Sequence, residues 1–174
     1  MTGQTILKLH SIQNRASSIL AVDKKISDVA THEAAHFVAA LSRDVFVQTV
    51  WVKGKYGSGQ SIRTGGSDGH VGVLPYEVAD DVLVAYAGHA WEEIHGDIGY
   101  AANDFQYAER AKLPEELDKA RKLIQEHEQF IRQVAAAIIE LRDSRGWLKS
   151  KKLQDLCSWV QFQQRMVTIS HKVS

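Results

Sequence analysis

From Pro114 to Asp143 the apolar residues keep to one period. Leu117, Ala120, Leu123, Ile124, His127, Ile131, Val134 and Ile138 recur every three or four positions, which places them on one face of an α-helix. Pro114 followed by Glu115 and Glu116 is a helix opening, with φ already set and two acids near the positive end of the dipole. Gly146 can stop the chain from continuing helically. A stripe this long must be covered along its whole length, so the chain is expected to fold around it as a mostly α domain.

The other elements follow from similar signals. Ser27 or Asp28 can cap a helix running to about Ser42, with Val29, His36, Phe37, Ala40 and Leu41 at helical spacing. Residues 45–52 are β-branched and aromatic without that spacing and read as a strand. Residues 53–69 are rich in glycine and read as a loop or a long hairpin connection. No Gly-Lys-Ser/Thr ending follows those glycines, so they are not a phosphate-binding loop. His70–Leu74 reads as a short second strand. A helix from about Tyr76 to His95 ends at Gly96, a shorter one runs from Asn103 or Asp104 towards Lys112, and a last one covers about Ser150 to Met166. Residues 1–23 read as an N-terminal arm and residues 24–174 as one domain, with a small sheet or hairpin beside the helix that contains His32.

Composition narrows the function. The chain has 174 residues, 44% hydrophobic and 24% charged, which is enough to build a core. Lys+Arg and Asp+Glu are both 21, so there is no excess positive charge to draw a nucleic acid or an anionic membrane. Lys149, Lys151 and Lys152 form a solvated basic face. Cys157 is the single cysteine, which excludes an intrachain disulfide and a cysteine-rich zinc knuckle. No stretch approaches the ~20 apolar residues of a transmembrane helix, and the first residues lack a signal-like apolar run. A cytoplasmic protein without membrane insertion is expected.

Thr31-His32-Glu33-Ala34-Ala35-His36 carries the chemistry. His-Glu-x-x-His on a helix puts two imidazoles one turn apart on one face, where both can bind one Zn²⁺. Glu33 sits beside them but is angularly offset, so it can take a proton from a water activated at the metal without replacing it. With 8 His and 10 Glu, the pattern arises by chance in roughly 2% of chains of this length. Two ligands from one helix leave room for a third and a water. His70, His89, His95, Glu92, Glu93 and Asp104 are the candidates, and spacing alone does not rank them.

Two further segments add a resemblance. Ala87-Gly88-His89-Ala90-Trp91-Glu92-Glu93-Ile94-His95-Gly96 resembles the pattern Gly-Gly-Arg-Ala-Ala-Glu-Glu-x-x-x-Gly. Ala101-Ala102-Asn103-Asp104-Phe105-Gln106-Tyr107-Ala108 resembles Gly-Ala-x-Asn-Asp-Leu-x-x-Ala-Thr. Both patterns belong, in this order after His-Glu-Ala-Gly-His, to the peptidase domain of FtsH-type AAA+ zinc proteases. The resemblance spans about residues 24–157. It implies that His32, His36 and Asp104 are zinc ligands and Glu33 the catalytic carboxylate. Glu92 would be a supporting carboxylate that fixes the tautomer of a ligand imidazole. It also implies a substrate-binding edge strand at Val47, Thr49 and Trp51. Ala35, His89 and Trp91 depart from the family pattern, Trp91 by replacing a small residue.

The expected function is a zinc-dependent metallopeptidase that cleaves peptides or unfolded chains, as there is no motor to pull folded proteins apart. It would work alone, as a homo-oligomer, or with a separate partner chain. The alternative is a catalytically inactive zinc-binding module that uses the same fold for interaction or regulation. A helical bundle with accidental histidines is the third reading.

Overall fold

The computed structural model describes residues 3–53, 68–74, 77–96 and 102–172. The chain is mostly helical, as its periodicity predicts. Among the described residues there are seven helices: α1 (Gly3–Asn14), α2 (Ala16–Leu20), α3 (Lys24–Ser42), α4 (Val78–His95), α5 (Ala102–Arg110), α6 (Pro114–Leu141) and α7 (Ser150–Lys172). Two strands, β1 (Phe46–Lys53) and β2 (Asp68–Leu74), lie between α3 and α4. The glycine-rich connection over residues 54–67 lies outside the described residues.

Helix α3 is the centre. Every residue from Val29 to Leu41 is buried, because α4, α6, α7 and both strands pack around it. A helix covered on all sides can carry small residues on any face. Ala34, Ala35, Ala39 and Ala40 are fully buried there and allow neighbours to approach closely. Its start differs from the expected cap. Asp23 is the N-cap, accepting from the Ile26 N–H at 3.2 Å. Ser27 instead donates its hydroxyl to the Leu20 carbonyl, and Asp28 pairs with Lys24 at 2.8 Å.

Helix α6 buries Ala120, Ile124, Ile131, Val134 and Ile138 as its stripe predicts. It bends at His127, whose φ of −120° and ψ of 15° leave the helical region. Burial holds the His127 imidazole below its usual range.

The N-terminal residues belong to the core. Leu9 and Ile12 on α1 are each 1% exposed and join the same apolar cluster as α3 and α6. Thr5 Oγ1 donates to Asp155 Oδ2 at 3.2 Å, and Gln13 Nε2 to Gln133 Oε1 at 3.0 Å. The stretch expected as an arm is thus a packed part of the domain. Leu9 and Ile12 lie three apart and meet a buried face together, although so few apolar residues give the sequence no clear helical stripe.

Strands β1 and β2 pair antiparallel from Phe46 opposite Leu74 to Lys53 opposite Asp68, with a bulge between Val47 and Thr49. The other side of β1 is also taken. Val52 N–H donates to the Gly146 carbonyl and Leu148 N–H to the Val50 carbonyl, each at 3.0 Å, so Trp51 bridges Trp147. Gly146 has φ of +91°, and a Cβ there would lie 2.6 Å from the Val52 carbonyl oxygen. Only glycine fits this crossing.

Candidate metal centre

His32 and His36 stand one turn apart in the middle of α3, and α4 runs across them. His36 Nδ1 lies 2.6 Å from the Val84 carbonyl oxygen. A carbonyl only accepts, so Nδ1 carries the proton and Nε2 keeps its lone pair. On the other ring, His32 Nδ1 lies 2.9 Å from Glu92 Oε1. This sets a carboxylate beside the Nδ1 edge of the His32 ring. The two Nε2 atoms face each other at 2.9 Å, with the rings edge-on at 78°. At this separation the two Nε2 atoms share either one proton or one cation between them.

Burial sharpens the demand. His32 is 2% exposed, Glu33 6%, His36 6% and Glu92 4%. Two acids and two imidazoles share the interior of α3 and α4, while no Lys or Arg is buried among the described residues. Two facing imidazole nitrogens with carboxylates beside them are a donor set that fits a divalent cation. Nitrogens on one tetrahedral zinc stand about 3.3 Å apart for bonds of ~2.0–2.1 Å, so the rings need to spread by only a few tenths of an ångström.

The third ligand is less complete. Among the described residues no third His, Cys, Asp or Glu joins the pair in ligand geometry. Asp104 is placed in the first turn of α5 by its backbone, and its side chain lies outside the described residues. Its neighbour Phe105 packs on His89 of α4, ring centroids 4.2 Å apart, and Tyr86 of α4 donates to Glu109 of α5 at 3.0 Å. These contacts hold α5 along the part of α4 that meets the histidines.

The other candidates are engaged elsewhere. Glu93 receives both Arg121 Nε and Nη2, at 2.8 and 2.9 Å, and that hydrogen-bonded guanidinium holds its carboxyl below the usual range. His95 stacks on Trp91 with centroids 4.0 Å apart. Its Nε2 lies 3.1 Å from Glu128, and His95 and Arg132 together keep the Glu128 carboxyl below its usual range. Trp91 is buried on α4, with the Arg132 guanidinium 5.2 Å from its ring centroid. The His70 side chain lies outside the described residues.

On the ribbon, Val47 is buried in the core and Thr49 and Trp51 are half-buried. Trp51 does not sit on an open edge. The expectation of an edge strand through Trp51 is corrected by the Gly146–Leu148 backbone, which occupies β1 at Val50 and Val52. On that side, strand addition is confined to the segment before Val50.

Sequence reasoning missed the parts of α4 that carry no ionisable group. The Val84 carbonyl gives no side-chain signal. Gly88 gives one: a glycine inside a strong helical pattern, where alanine is the better helix former.

Compared with protein-family models, with curated proteins and with solved structures, the chain matches none.

Proposed function

We propose that this chain is a zinc-dependent peptidase in which His32, His36 and Asp104 hold Zn²⁺ and Glu33 is the general base. The observation that carries this reading is the pair of Nε2 atoms facing each other at 2.9 Å, with the Val84 carbonyl at His36 Nδ1 and the Glu92 carboxylate beside His32 Nδ1. When bound, zinc supplies a Lewis acid that acidifies water and polarises a carbonyl. Glu33, one residue after His32, takes the proton of the attacking water and returns it to the leaving amine. Glu92 and the Val84 carbonyl hold the imidazoles in the tautomer that leaves Nε2 available. Phe46–Thr49 of β1 offers the backbone for an extended substrate. Substrates would be peptides or unfolded chains. No described helix is long and apolar enough to cross a membrane. The proposed place of action is the cytoplasm, without membrane insertion. The working form would be the single chain, a homo-oligomer or a complex with a partner chain.

Burial favours one second reading. With Glu33 only 6% exposed, the same centre can hold zinc to organise an interaction module without hydrolysis. Incubating the purified chain with unfolded casein, with zinc and with a chelator, separates the two. Chelator-sensitive cleavage supports the peptidase. Stoichiometric zinc without cleavage supports the module, and absence of zinc binding removes both.

A further inference from the structure

We infer that Gly88 is a positioning residue, and that the α4 face formed by Val84, Gly88 and Glu92 is the second half of the metal centre. This inference rests on the zinc reading of His32 and His36. Residues four apart stack on one side of a helix. His32 and His36 make one such pair on α3, and Val84, Gly88 and Glu92 make one such row on α4. The ends of the row are already matched: the Val84 carbonyl to His36 and the Glu92 carboxylate to His32. Numbers rise along one helix as they fall along the other, so Gly88 stands opposite the gap between the rings.

A Cβ at Gly88 would lie 2.4 Å from His36 Nε2, 2.5 Å from His32 Cε1 and 2.6 Å from His36 Cε1. All three distances are below any real contact, and all three atoms belong to the edge of the ring pair where a cation would be held. The rings cannot swing aside cheaply, because both are buried and His36 is tied at its Nδ1. Alanine in a helix interior is favoured over glycine by backbone entropy. What glycine provides here is the missing methyl, and the volume of that methyl is the space beside Nε2. Gly88 touches no substrate in this scheme. It lets α4 come close enough for Val84 and Glu92 to orient the rings while leaving that space open.

The test is Gly88→Ala in the full chain, read by competitive zinc titration and by the visible absorption of the Co²⁺-substituted protein. Zinc affinity is expected to fall at least tenfold, the lower end of losses for supporting groups, and the Co²⁺ bands are expected to shift. Wild-type affinity and an unchanged Co²⁺ spectrum in Gly88→Ala would overturn the inference. A second measurement needs no metal. With chelator present, Gly88→Ala is expected to lower the melting temperature of the wild-type chain. In a His32→Ala/His36→Ala background it is expected to leave it unchanged or raise it, because the clash is gone and alanine is the better helix former. An equal loss in both backgrounds would overturn the inference. If Gly88→Ala alone does not fold, folding of the triple variant supports the contact, and its failure to fold counts against it. If the wild type binds no zinc, the peptidase reading falls while the melting comparison still judges Gly88.

Discussion

His36 donates from Nδ1 to the Val84 carbonyl oxygen at 2.6 Å, and this bond determines which ring nitrogen is left to bind a cation. The donor is a side chain of the central helix and the acceptor is a backbone atom of its neighbour, so the tautomer depends on the packing of α3 against α4. At the other end of the contact the Glu92 carboxylate stands 2.9 Å from His32 Nδ1. The motif residues alone do not impose this. A His-Glu-x-x-His helix with no acceptors behind it would leave each ring free to protonate at Nε2, and the pair would then present a proton where a metal is needed.

Glu33→Gln is expected to abolish hydrolysis while the zinc content stays near one per chain. The amide is nearly isosteric but cannot accept a proton. Loss of a general base typically costs ~10²–10⁴ in rate. Casein turnover and elemental analysis on the same sample check this. Retention of more than about a tenth of the wild-type rate would remove Glu33 from the mechanism.

Cys157 offers a check on the packing of α7. Burial pushes its thiol up to about 11, from 9.0 in the open, so near pH 8 very little of it is thiolate. Labelling by a thiol reagent is expected to be slow in the folded chain and fast after denaturation. The unfolded thiol ionises first as the pH rises. The stability linked to Cys157 is therefore fully present below about 9 and is lost as the pH rises towards about 11. The loss is roughly 1–2 kcal/mol once partial exposure is allowed for. Urea titrations of wild type and Cys157→Ala between these limits are expected to converge. Parallel curves would contradict the burial of the thiol.

The parts of the fold visible in the sequence are those with a long period. The helix from Pro114 declared its opening and buried face; its end at Leu141 comes two residues before the expected Asp143, and the bend at His127 was hidden, since histidine is not a helix breaker. The Gly96 stop of α4 was equally plain, and the chain ends that helix there with an N–H bond to the Glu92 carbonyl at 2.8 Å. Leu9 and Ile12 were hidden because two apolar residues among polar ones do not announce burial until α6 and α7 are placed against them. At the site, His32, Glu33 and His36 were legible from their spacing. The Val84 carbonyl was not, because a backbone atom has no sequence signature. The closure of β1 by Gly146–Leu148 was also illegible, because it pairs residues about a hundred positions apart through two backbone hydrogen bonds.

Ile12→Ala is expected to destabilise the chain by ~2–5 kcal/mol, the range for removing a large aliphatic side chain from a packed core. Ile12 is fully enclosed between α1 and the helices it meets, so little relaxation can refill the space. Chemical denaturation with an unchanged slope and a lower midpoint is the expected form. A change below about 0.5 kcal/mol, the scale of surface substitutions, would return residues 1–23 to the status of a loose arm.

Asp104→Ala and Glu92→Gln together decide how the centre is built. Glu92 approaches His32 at Nδ1, the nitrogen turned away from the pair, so in the proposed centre its carboxylate would support a ligand and not bind the ion. Replacing it by an amide keeps an oxygen that can accept the Nδ1 proton but removes its charge. Zinc affinity is then expected to fall by the ~10–100-fold usual for a supporting group. Asp104 stands at the start of α5, whose Phe105 is seated on His89 beside Gly88. If Asp104 is the third ligand, Asp104→Ala leaves two histidines, and affinity is expected to collapse together with activity, because three protein ligands are the minimum a catalytic zinc site normally keeps. Zinc titrations of both variants, with circular dichroism to confirm helix content, make the comparison. Tight stoichiometric zinc in Asp104→Ala, with loss in Glu92→Gln, would reverse the roles. Glu92 would then have to leave His32 Nδ1 to reach the metal, and α4 would supply a ligand in place of an orienting carboxylate.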